Sequence, residues 1–201
     1  MASITEICNL AISHLGIGKE IGNLETERSD EASACRRFYT ICRDNTLRDF
    51  EWPFATKFAD LALIEEDPTD EWAFSYGFPS DCIRLRRILS GTFPDTAQTL
   101  VSYRRVSSGG SQVIYNNQED AAAEYTERIE DPSLYTPDFV LALSFLLASM
   151  IAPRITAGDP YKMGERAARM YLESINSAKA NAVNEEQVEQ APEAELIQAR
   201  E

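Results

Sequence analysis

Proline at position 53 constrains this chain more than any other residue. Its ring fixes φ and removes the N–H, and its Cδ pushes the preceding Trp52 out of helical backbone. The helical pattern before it therefore ends within Asp49-Phe50-Glu51-Trp52-Pro53-Phe54-Ala55. Beyond it the chain takes on strand character, above all from Trp72 to Tyr76 and from Cys82 to Leu85. The break divides the chain into a helical part and a β part.

Before the break, Ser3-Ile4-Thr5-Glu6 reads as a capping box: Ser3 accepts from the amide of Glu6, and Glu6 reaches back. Ile4, Ile7, Cys8, Ala11 and Leu15 then share one stripe, and Gly16 supplies a helix stop. Ser29 is a second N-cap, with Asp30 and Glu31 complementing the helix dipole. From Asp30 to Asp49 the spacing turns Ala34, Cys35, Phe38, Ile41 and Cys42 inward. It turns Arg36, Arg37, Arg43 and Arg48 outward.

After the break, Thr56 to Ile64 alternates Ala59, Leu61 and Leu63 and predicts a half-buried strand. Glu65-Glu66-Asp67-Pro68 reads as a turn, and Trp72 to Tyr76 as a second strand. Ile83, Leu85 and Leu89 fall on one strand face, with Arg84, Arg86 and Ile88 on the other. Thr99 to Val106 and Gln112 to Tyr115 flank a hairpin tip, Ser107 to Ser111, centred on Ser108, Gly109 and Gly110. Ala121 to Ile129 is the last strand. The block is a small antiparallel sheet or a sandwich of two, and Trp52, Phe54 and Phe58 are expected to pack where it meets the helices.

Thr136-Pro137-Asp138 restarts helix, as an N-cap with proline at the first helical position. The apolar run from Phe139 to Ala152 falls short of the ~20 residues of a membrane span, so it is expected to be a central buried helix. Asp159-Pro160 opens a further helix, with Met163, Ala167, Met170, Tyr171, Ser174, Ile175 and Ala178 inward. Lys162, Arg166 and Arg169 make a basic face, and Glu165 is placed to pair with Arg169. Residues 185–201 are glutamate-rich and broken by Pro192, yet Ala194, Leu196, Ile197 and Ala199 form a short apolar patch suited to docking.

The residues offer little chemistry. With 33 acidic against 19 basic residues and a net charge of −14, the chain is not built to grip phosphates. Cys8, Cys35, Cys42 and Cys82 lack CxxC spacing and have only His14 to join them, so a metal site is not expected, and Cys35 and Cys42, seven residues apart on a helix, are read as small hydrophobes on a buried face. The start lacks the basic and apolar regions of a signal peptide, which implies folding in a reducing cytoplasm. His14 sits in an amphipathic helix without an evident catalytic partner. Gly109-Gly110 lacks the Lys-Ser/Thr of a phosphate loop, and no cofactor motif is present. Arg84, Arg86, Arg87, Arg104 and Arg105, with Tyr103 among them, suggest a basic stacking patch or simply outward strand charges.

The order of these segments resembles the head-to-tail adaptor family of tailed bacteriophages, also called tail tubular protein A. The resemblance rests on Ala11-Ile12-Ser13-His14-Leu15-Gly16, Ala32 to Trp52, Trp52-Pro53-Phe54-Ala55 and Tyr76 to Leu85. It continues through Glu124-Tyr125-Thr126-Glu127-Arg128-Ile129, Phe139 to Pro153 and the helix from Pro160, spanning roughly residues 4–183.

It implies an α+β fold: an antiparallel helical bundle (1–52 and 136–184) with an inserted antiparallel β domain (53–135) and an extended acidic C-terminal arm (185–201). It further implies a virion protein assembled in the host cytoplasm as a homo-oligomeric ring of about twelve copies. Such a ring joins the portal protein to the tail nozzle protein, sometimes with a tail fibre or tailspike. Double-stranded DNA passes through it without specific binding, and no membrane, catalytic residue, metal or cofactor is implied. Leu196 and Ile197 of the arm and the tip Ser108, Gly109 and Gly110 are the partner-binding residues expected. Two other readings remain open on the residues themselves: a glycan or peptidoglycan hydrolase using paired carboxylates, and a monomeric binding module.

Overall fold

The computed structural model describes residues 3–91, 100–159 and 161–185. The fold is mixed α+β, and the described residues form two helices, seven antiparallel strands and two further helices in chain order. Helix α1 (Ile4–His14) begins at the Ser3/Glu6 capping box and buries Ile7, Cys8, Ala11 and Ile12. It ends one residue before Leu15, and Gly16 beyond has a φ of 72° that suits glycine. Helix α2 (Asp30–Asp49) is capped by Ser29 and buries Ala34, Cys35, Tyr39, Cys42, Thr46 and Leu47.

Two expectations for α2 are corrected. Ile41 is 52% exposed, because the buried stripe follows Cys35, Tyr39, Cys42 and Thr46 and leaves it to one side. Arg43 is only 5% exposed. Its charge is tolerated because its guanidinium meets Asp44 at 2.9 Å and lies 4.0 Å from Glu130.

The break at Pro53 is a short 3-10 turn, Pro53–Ala55, stepping into β1 (Thr56–Asp60). The strands then run β2 (Leu63–Thr69), β3 (Trp72–Gly77), β4 (Cys82–Ile88), β5 (Tyr103–Ser108), β6 (Ser111–Asn116) and β7 (Ala122–Glu127). They form two sheets, β1-β7-β4 and β2-β3-β6-β5, with every pairing antiparallel. Leu61, Tyr76, Cys82, Ile88, Ile114, Ala121, Ala123 and Tyr125 form one core drawn from both sheets.

Three corrections concern this region. Glu65 to Pro68 is not a turn but part of β2, whose pairing with β3 carries two register shifts. An edge strand exposed on both faces can be acidic, since neighbour pairing and not burial holds it. The simple alternation expected from Ile83 to Leu89 fails, because register shifts at Cys82/Arg84 and Leu85/Arg87 rotate the side chains. Ile88 becomes the buried residue, at 1% exposure, and the Arg86 side chain is nearly covered. Phe58 is 61% exposed and does not join the junction.

The junction itself is aromatic. Trp52 is fully buried and donates its indole N–H to the carbonyl of Thr46 at 2.9 Å. Phe50 and Phe139 meet it edge-on, each at 5.2 Å between centroids. Phe54 stands edge-on to Phe139 at the same separation.

Helix α3 (Pro137–Ile155) starts at the Thr136 cap and carries Pro153 within its last turn instead of ending there. It is long and apolar enough to cross a membrane by length and composition. It packs against α1, α2 and α4, and Phe139, Leu143, Leu147 and Ile151 are inaccessible in a core shared by all four helices. Helix α4 (Met163–Glu185) begins three residues later than Pro160. Asp159, at φ 58°, accepts from the amides of Met163 and Gly164 at 2.7 and 2.8 Å. Ala167, Ile175, Ala178 and Ala182 are its buried apolar side chains.

Candidate functional site: exposed hairpin and sheet edges

The hairpin tip expected from the sequence forms, and it is narrower than Ser107–Ser111. Ser108 pairs with Ser111, so Gly109 and Gly110 alone make the loop. Their φ values of 59° and 81° are the pair of left-handed conformations of a type I′ turn, which matches the twist of the flanking strands. Ser107 through Ser111 are all exposed, and a Cβ placed on either glycine meets nothing within 4 Å. The tip is a free projection. The other two expected partner-binding residues, Leu196 and Ile197, lie outside the described residues, as does all of the arm beyond Glu185.

The groups with chemical potential are tied into structure. His14 stacks on Phe145 at 3.9 Å and places Nε2 3.0 Å from Ser144 Oγ. Ser144 donates its one proton to the carbonyl of Leu141 at 2.7 Å, so its oxygen accepts from His14 and Nε2 carries the proton. Burial holds the His14 pKa below its ordinary value. All four cysteines are free and buried, which for Cys35 and Cys42 is the expected role of small hydrophobes. Burial pushes the Cys42 and Cys82 thiols up to about 12, the reverse of an activated nucleophile.

Carboxylates converge beside a cation at Lys57, while Asp67, Asp70 and Glu71 gather without one at the exposed β2–β3 turn. Lys57 Nζ on β1 lies 2.6 Å from Asp81 and 2.7 Å from Glu127. Tyr125 donates its hydroxyl to Asp81 at 3.1 Å. Burial alone would raise the Asp81 carboxyl, but the Lys57 ammonium and the Tyr125 hydroxyl outweigh it and hold it below its usual range. A general acid needs the opposite shift. Tyr125 itself is pushed up to about 12, by burial first and then by its bond to ionised Asp81.

The expected arginine patch is divided in the same way. Arg86 donates to Glu124, Thr56, Thr126 and the carbonyl of Trp52. Arg87 meets Glu124 at 2.6 Å, and Arg84 lies 3.3 Å from Glu51. Arg105 donates to Gln112 and covers the Phe78 ring at 4.1 Å. Only Arg104, of the five, stands exposed without a side-chain partner among the described residues.

The two outer edges of the four-stranded sheet were not expected from the sequence. On β2, Leu63 and Ile64 are 50% and 58% exposed, beside exposed Glu65 and Glu66. On β5, Tyr103 and Arg104 are exposed at the opposite edge. The signal was present in the paired charges Glu65-Glu66 and Arg104-Arg105, but assigning the first pair to a turn concealed it. No family model matches this chain, and no curated protein sequence matches it.

Proposed function

We propose that this chain is a structural virion protein, the head-to-tail adaptor that joins a phage portal to the tail nozzle and extends the DNA channel. In this reading α1 to α4 are an antiparallel bundle (1–52 and 136–184), residues 53–135 are an inserted β domain, and 185–201 are an extended arm. The observation that carries it is one of order: four helices, divided by seven strands, share a single hydrophobic core. That is the arrangement the adaptor resemblance leads one to expect. The binding of the Asp81/Glu127 carboxylates by Lys57, and of most of the arginines by structural partners, also favours an assembly role over turnover.

The strongly acidic composition suits a channel wall, since carboxylates repel the phosphates of passing DNA instead of retaining them. Assembly in the host cytoplasm and residence in the virion connector belong to the same proposal, with about twelve copies in the ring. The test is negative-stain imaging of the purified protein mixed with a purified portal ring. Rings seated on the portal are expected. Free monomers beside bare portals, or glycan hydrolysis abolished by one carboxylate substitution, overturn the proposal.

A further inference from the structure

We infer that neighbouring copies of this chain join edge to edge, the β2 strand of one copy adding to the β5 strand of the next. The inference deepens the ring proposed above and rests on it for closure, but not for the contact itself. Three observations carry it.

First, β2 and β5 are the two outer strands of the same four-stranded sheet, each bonded, among the described residues, to a neighbour on one side only. An outer strand presents a row of unpaired N–H and C=O groups, a ready template for another strand. Second, the two edges have opposite charge. Exposed Glu65 and Glu66 on β2 have no cationic partner among the described residues, and exposed Arg104 on β5 has no anionic one. Beside them lie Leu63, Ile64 and Tyr103, apolar surface for a strand contact to cover.

Third, the strand count fixes the direction. All pairings in this sheet are antiparallel and there are four strands, so β2 and β5 run in opposite senses. A second copy in the same orientation therefore brings its β5 antiparallel to the first copy's β2, in the pairing that already holds the sheet. Charge, a bulge and Pro68 are also devices that keep edges apart. Here the signs decide which contact they block. Two β2 edges set acid against acid and two β5 edges set arginine against arginine, so symmetric pairing is opposed. Only the head-to-tail contact joins unlike charges, and a head-to-tail contact generates a ring or an open filament.

The experiment uses the full chain with Ile64→Cys and Tyr103→Cys, treated with a short bismaleimide under native conditions. The four natural cysteines are buried and stay out of the reaction. The edges of one copy are three strand spacings apart, roughly 14 Å, so a short reagent links copies and not the two ends of one sheet. A ladder extending beyond dimer is expected. Adding Arg104→Glu should lose it, and mixing that protein with one carrying Glu65→Arg and Glu66→Arg should restore it as an alternating ladder, since each β2 edge then meets a β5 edge of opposite charge. Sedimentation of the unmodified chain, alone and with a portal ring, separates the two claims. Assembly without a charge-dependent ladder overturns the edge contact and leaves the ring standing. A charge-dependent ladder with only open chains supports the contact and rejects the ring. Neither ladder nor assembly overturns both.

Discussion

Arg86 donates from Nη2 to the carbonyl of Trp52 at 3.1 Å, tying β4 to the turn in which the helical part of the chain ends. Its other nitrogens reach Thr56, Thr126 and Glu124, so one planar group joins β1, β4, β7 and the turn. Arg86→Met leaves one oxygen of the nearly covered Glu124 carboxylate without its donor, while Arg87 keeps the other at 2.6 Å. The expected cost is about 3 kcal/mol, the lower end for breaking a buried pair from one side. Arg86→Lys should recover little, since an ammonium cannot reproduce the fork. Denaturant midpoints measure both, and an unchanged midpoint for the methionine variant contradicts this role.

Trp52 and Phe58 offer a matched contrast. Trp52→Ala empties the centre of the aromatic junction and should cost about 3–5 kcal/mol. Phe58→Ala, on an exposed position, should stay within about 0.5 kcal/mol of wild type. Thermal melts of the two variants, compared directly, test where the junction lies.

The features that sequence displayed are local ones. Ser3/Glu6, Ser29, Thr136-Pro137 and Gly109-Gly110 act through their own backbone geometry, so their residue types announce them. The side chains it misplaced are governed by distant partners. Arg43 is buried because Asp44 and Glu130 meet it, and Arg86 because register shifts in β4 turn it toward Glu124. Glu65 to Pro68 carries poor strand formers, and only pairing with β3, reached through the chain's return at Trp72, makes it a strand. The site followed the same division: the hairpin tip was readable, and the opposed sheet edges were not, because an edge is defined by what fails to pair with it.

Gly164 sits where α4 presses closely on α3. A Cβ there would lie 2.9 Å from the Cβ of Ala152 and 3.2 Å from the carbonyl oxygen of Ser149, neither of which can swing away. Gly164→Ala should therefore destabilise by about 1–3 kcal/mol through overpacking, despite alanine's better helix propensity. A rise in melting temperature would show that the helices separate without cost.

His14 gives the stability a pH dependence with a defined sign. Burial lowers its folded pKa, so on acidification the unfolded chain takes up the proton first. Its contribution is complete above the ordinary value near 6.5 and declines as pH falls below it, until folded His14 protonates too. Asp81, also lowered in the folded state, acts in the same direction but only below about 4. His14→Gln should flatten the upper window and leave the lower one. As the only histidine, His14 can be titrated directly by NMR, and an unshifted value would refute the assignment.

The hairpin tip separates turn geometry from partner contact. Both glycines are left-handed with open space around them, so a side chain there meets a backbone penalty and no clash. Gly110→Val should cost about 1–2 kcal/mol on that ground. Gly109→Asn should be nearly neutral, because Asn-Gly is a preferred type I′ pair. Gly109→Asn combined with Ser108→Glu therefore enlarges and charges the tip without unmaking the turn. If the tip touches the portal or the nozzle, as the adaptor proposal holds, this double variant should melt like wild type and co-sediment less with one of those partners. The loss should be smaller at high salt if the partner surface is acidic, since screening weakens the repulsion the new glutamate introduces. Binding equal to wild type for both partners would remove Ser108, Gly109 and Gly110 from the contact surface.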